Sequence, residues 1–128
     1  MTKKNEREML LMEIKARKEV IAKIINPLHR LKKQADKKLQ IRKDKVAASR
    51  EYDSVEDAHE MWGYGAITDD EFEEIKNMLE EGENYIENHI SPQEYGVRIL
   101  EDFLARLYSE INSFEFDLRQ LRDSTHNT

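Results

Sequence analysis

A chain of 128 residues without cysteine has room for one domain with its own core, and it excludes disulfides and cysteine-based metal sites. Charged residues make up 38% of it and hydrophobic residues another 38%, with only four Gly and two Pro, so long helices are favoured over a sheet. The net charge of −6 conceals a polarity: residues 1–50 carry 16 Lys and Arg against 6 Asp and Glu, and residues 51–128 carry 5 against 21. Halves of +10 and −16 attract each other along antiparallel helices, or attract a neighbouring chain.

No apolar run approaches the ~18 residues of a membrane span. The start of the chain holds only the four-residue run Met9 to Met12, where a secretory signal needs roughly 7–15 apolar residues. A cytoplasmic protein without membrane contact is the expectation.

In chain order, residues 5–25 read as a first helix. Leu10, Leu11, Ile14, Ile21, Ile24 and Ile25 recur at three- and four-residue steps and form one apolar stripe. Asn26-Pro27 then interrupts, because proline lacks the N–H and clashes with the carbonyl four residues back. A new helix capped by Asn26 is expected there, with a kink in one continuous helix as the alternative. Residues 28–51 form the second helix, with Leu28, Leu31, Ala35, Leu39 and Val46 as a narrow stripe suited to helix–helix packing. After Val46 the pattern slips, which marks a weak point near residues 52–54.

A short helix over 54–62 leads into Trp62-Gly63-Tyr64-Gly65-Ala66-Ile67-Thr68, a corner where the glycines can take left-handed backbone values. Thr68 and Glu71 fit a capping box, so the next helix, 69–88, starts at Asp69 with Asp70 and Glu71 in its first turn. Gly82 weakens that helix and marks a possible bend. Ser91-Pro92-Gln93-Glu94 supplies an N-cap, a first-position proline and a capping acid. From there Leu100, Leu104, Leu107, Ile111, Phe114, Leu118 and Leu121 step by four and three, a heptad seam over a helix of 92–122. Residues 123–128 read as a disordered tail.

At the corner, Gly65-Ala66-Ile67-Thr68-Asp69-Asp70-Glu71-Phe72, with Lys76 and Leu79 following, resembles the short bacterial helical hairpin called the SHOCT domain, over residues 54–80. Similar turns occur in small phage proteins. The resemblance implies an oligomerisation or partner-docking hairpin and no chemistry. The family's first helix is leucine-rich, whereas this chain has Val55, Ala58, Met61 and Trp62 there.

Candidate chemistry is sparse. Glu56-x-x-His59 has the spacing of a metal-binding pair, but a di-iron site needs two such pairs and further carboxylates. Glu71-x-x-Glu74 recurs in helical pyrophosphohydrolases, which also need a Glu-x-x-Asp that residues 80–122 lack. No phosphate-cradling glycine motif occurs. No catalytic residue, metal ligand or cofactor is therefore assigned. Lys32, Lys33, Lys37, Lys38, Arg42, Lys43 and Lys45 line the second helix as candidate nucleic-acid contacts. The absence of any aromatic before residue 52 weighs against that use. Trp62, Tyr64, Asp69 and Asp70 are the candidate partner-binding residues, because exposed Trp and Tyr dominate many interfaces.

The expectation is an all-α fold, an elongated antiparallel helical bundle or coiled-coil hairpin with a Gly-x-Gly-x-Ile-Thr corner, in one domain over 1–122. Its narrow stripes call for further helices, hence a homo-oligomer. Its expected function is non-enzymatic: a small phage-like adaptor, inhibitor or assembly factor that docks a protein partner. The alternative is a nucleic-acid-binding regulator using residues 30–45.

Overall fold

The computed structural model describes the backbone of residues 2–126 and the side chains of residues 2–122. Every element is a helix: α1 (Lys3–Ser49), α2 (Val55–Gly63), α3 (Asp69–Glu81), α4 (Asn84–Asn88) and α5 (Pro92–His126). No strand occurs among the described residues, in line with the helix-favouring composition.

α1 corrects the expected break at Asn26-Pro27, because it runs unbroken through Pro27. The proline ring lies on the exposed side of the helix, while Ile24, Leu28 and Leu31 on either side of it are turned inward. Packing on that inner side outweighs the hydrogen bond that Pro27 cannot donate to the carbonyl of Lys23. Ile14, Ile21, Leu28, Ala35, Arg42 and Ser49 are all buried, and they stand at a strict seven-residue spacing. One face of α1 is thus continuous in period while its chemistry changes from aliphatic to polar.

The chain divides into two compact units. The first joins residues up to Leu31 with those from Gly96 onward, and the second is Lys32–Tyr95. In the first, Ile14, Ile21, Leu107 and Ile111 form the core, with Ile24, Leu104, Phe114 and Leu118 packed against it. The pairing is antiparallel: Arg17 meets Glu110, and fourteen residues along α1, Leu31 meets Gly96. A Cβ on Gly96 would stand 2.8 Å from Leu31 Cδ2, so the glycine permits a close helix crossing. The expected heptad seam of α5 supplies this core.

In the second unit, Val46, Met78 and Tyr85 make a small core flanked by Ile86, and Ala58 is fully buried on α2. The expected helix over 69–88 is two helices, because Gly82 has φ +60 and stops α3 at Glu81. At the other end, the expected disordered tail over 123–128 overlaps the close of α5, whose backbone runs to His126. Asp-Ser-Thr-His holds no helix breaker. Residues 127 and 128 lie outside the described residues.

Candidate functional site

The corner between α2 and α3 is built from its caps upward. Ser54 opens α2, its hydroxyl accepting from the Asp57 N–H at 3.3 Å. At the far end the Gly65 N–H donates to the Trp62 carbonyl and the Ala66 N–H to the Met61 carbonyl, at 3.0 and 2.9 Å. That pair of bonds closes a Schellman turn, with Gly65 at φ +75 in the left-handed position. Gly63 remains helical, so only one of the two corner glycines is needed for its backbone. The capping box forms as expected: Thr68 Oγ1 accepts from the Glu71 N–H at 3.2 Å, and Glu71 Oε1 accepts from the Thr68 N–H at 3.4 Å.

These turns bring Trp62 across to α3. Its ring stacks on Phe72 with centroids 5.4 Å apart, and its Nε1–H donates to Asp69 Oδ1 at 2.5 Å. His59 packs against both rings, at 5.3 Å from Trp62 and 5.7 Å from Phe72. The histidine of the Glu56-x-x-His59 pair therefore belongs to an aromatic trio. Among the described residues, no three metal-ligating side chains converge. Trp62 is a latch that stays 38% exposed, and Asp69 is its acceptor. Tyr64, on the turn, is 82% exposed. Asp70 and Met61 are exposed as well. The four candidate partner-binding residues thus share one corner in two roles: Trp62 and Asp69 brace it, while Tyr64 and Asp70 face solvent.

The basic residues of α1 do not share one face. Arg42 is buried, with Nη1 and Nη2 donating to the two carboxylate oxygens of Glu94 at 2.8 and 2.7 Å. Its Nε donates to the Ile86 carbonyl at 2.8 Å, so the guanidinium is engaged and buried within the second unit and is not presented to a phosphate. Lys45 reaches Glu74 at 2.8 Å. Lys32, Lys33, Lys37, Lys38 and Lys43 are exposed. At 100° per residue, Lys33 and Lys37 lie opposite the buried stripe, and the other three divide between its two flanks.

Glu94 joins two structures. It caps α5, accepting from the Ser91 N–H at 2.7 Å and the Ser91 hydroxyl at 2.8 Å, while it holds Arg42. The bonds from Arg42, helped by those from Ser91, pull its carboxyl down to about 2, against the opposing effect of burial. The same pairing raises the already high pKa of Arg42, and the bond to Glu74 raises that of Lys45. Charge alone makes Arg42 a candidate nucleic-acid contact and gives Arg17 no role. The signal that finds them is period: Arg42 falls seven residues after Ala35, and Arg17 falls midway between Leu10 and Ile24.

The chain matches no family model, no curated protein and no solved structure.

Proposed function

We propose that this chain is a non-enzymatic protein–protein interaction protein, a small helical adaptor, inhibitor or assembly factor that docks a partner through the α2–α3 corner. The observation that carries this reading is Tyr64, 82% exposed on a turn whose geometry is set by a Schellman motif, a capping box and the Trp62 latch. An aromatic held at the tip of a pre-formed corner loses little conformational freedom on binding, which favours it as an anchor. Met61 and the edge of Trp62 extend the apolar surface, and Asp70 adds a negative rim. The likeness of residues 54–80 to short oligomerisation hairpins agrees with this use. No helix among the described residues is long and apolar enough to cross a membrane, and a cytoplasmic setting is part of the proposal.

The test is affinity capture from the native cell with the wild-type chain and Tyr64→Ala side by side. A partner held by the wild type and lost by Tyr64→Ala, with helicity unchanged, supports the reading. Identical capture by both proteins rejects it.

The nucleic-acid alternative rests on Lys32, Lys33, Lys37, Lys38 and Lys43, exposed on the second half of α1. Five phosphate contacts instead of seven would give a shallower salt dependence, with a slope of roughly −4 to −5 on duplex DNA. Absence of DNA binding at low salt removes this alternative.

A further inference from the structure

The open end of the first unit, where the start of α1 meets the close of α5, carries two apolar grooves. One is rimmed by Lys4, Arg7, Arg119 and Arg122 over a floor of Leu11 and Leu118. The other is rimmed by Glu6, Glu13 and Asp117 over Met9, Leu10 and Phe114. On α1, positions 4, 7 and 11 fall to one side of the buried stripe and positions 6, 9 and 13 to the other, so the grooves occupy opposite flanks of the helix pair. The charged residues lining each groove are of one sign, around leucine, methionine or phenylalanine, with Arg17 beside the acidic groove over Phe114. Met9, Leu11 and Met12 are exposed there, and the core cluster of this unit is small, built on Ile14, Ile21, Leu107 and Ile111.

We propose that a second copy of this chain covers these grooves, the basic flank of one molecule seating on the acidic flank of the next. Charge complementarity identifies the occupant. Two basic flanks, or two acidic ones, would place like charges around each apolar floor, whereas a basic flank against an acidic flank opposes Lys and Arg to Glu and Asp. The contact is heterologous, so every molecule offers one groove and fills another, and the assembly grows or closes into a ring. Part of the acidic charge is already engaged, since Glu13 pairs with Arg17 within its own chain. Glu6 and Asp117 therefore carry the recognition on that side. The inference rests on the first unit alone and goes beyond the docking assigned to Tyr64.

The experiment is sedimentation of the full chain against concentration and salt, with two charge-reversed variants, Arg7→Glu/Arg119→Glu and Glu6→Lys/Asp117→Lys. The wild type associates at low salt, and its dissociation constant rises roughly tenfold or more between about 0.05 and 0.5 M salt. Each variant alone is monomeric with full helicity by circular dichroism. Mixing the two restores association in equal proportion, because each retains the groove that the other has lost, and that rescue shows both to be folded. Tyr64→Ala associates like the wild type, which separates this contact from the corner. A wild type that stays monomeric to about 100 µM overturns the inference, and leaves the grooves to another acidic or basic partner. It is equally overturned by an oligomer that survives either reversal, or by helical variants that fail to rescue each other.

Discussion

α1 places an arginine on its inner side in each unit, and the two are used differently. In the first unit, Arg17 Nε donates to Glu110 at 2.6 Å and Nη1 to Glu13 at 2.5 Å, with the guanidinium 4.6 Å above the Phe114 ring. In the second, Arg42 holds one carboxylate with both terminal nitrogens and a backbone carbonyl with its Nε. The side chains of Arg17 and Glu110 keep 23% and 38% of their surface, whereas those of Arg42 and Glu94 keep 9% and 14%. Water competes with the first pair and is largely excluded from the second. An ion pair that water reaches adds little net stability, while a buried one becomes costly to break from one side only. The aliphatic seam holds the first unit. The second, with Val46, Met78 and Tyr85 as its core, adds a buried charge pair to that core.

The strongest test of this contrast is Arg42→Leu. Removing the cation leaves Glu94 buried with Ser91 as its remaining partner, at an expected cost of about 3–5 kcal/mol in urea unfolding. Hydrogen exchange at residues 84–94 should speed up more than exchange at residues 104–111. Adding Glu94→Gln to that variant removes the stranded charge and should recover part of the loss. A cost below ~1 kcal/mol would place this pair on a level with exposed ones.

Acid probes the same pair without mutation. Glu94 is held at about 2, below its ordinary 4.5. A lowered carboxyl pKa means that the unfolded chain binds the proton first, so the contribution is complete above pH 4.5 and disappears as the pH falls through about 2. At about 1.4 kcal/mol per pH unit, it amounts to roughly 3 kcal/mol. Residues 84–94 should therefore lose exchange protection over that window, and Glu94→Gln should flatten the dependence.

Glu94 also shows how far the sequence was legible. Its role at the start of α5 was readable, because the partners Ser91 and Glu94 stand three residues apart. Thr68 and Glu71 were readable for the same reason, as was the α5 seam, whose period is local. The Arg42–Glu94 pair was not, since 52 residues separate its members and a Lys-rich helix disguises one of them. Trp62 lies between these cases. It was placed at the corner, but its bond to Asp69 depends on how the turn folds back. Pro27 misled because local cost argues for a break, and the inner face that overrides it is a property of the whole helix.

Pro27→Ala measures that override. The ring lies on the exposed side, and alanine restores the donor to the Lys23 carbonyl, so the variant should be stabilised by about 1–3 kcal/mol. The gain should appear around residues 20–31 in hydrogen exchange. A destabilised variant would mean that the proline's fixed backbone contributes more to the first unit than its missing donor costs.

The smallest expected effect is that of Arg17→Ala, and it decides whether burial is the right variable. Arg17 makes as many side-chain ion contacts as Arg42, to Glu13 and Glu110, and adds a face-on contact with Phe114. If contact number governed stability, the two losses would be alike. If exclusion of water governs it, the thermal midpoint should fall only slightly for Arg17→Ala. The ionic part of that fall should vanish at about 1 M salt, where the screening length is about 3 Å. Arg17→Met keeps an apolar stem against Phe114 and should recover the residual part, which is packing and not charge. The loss in Arg42→Leu should persist at the same salt, because screening ions do not enter a site that water barely reaches.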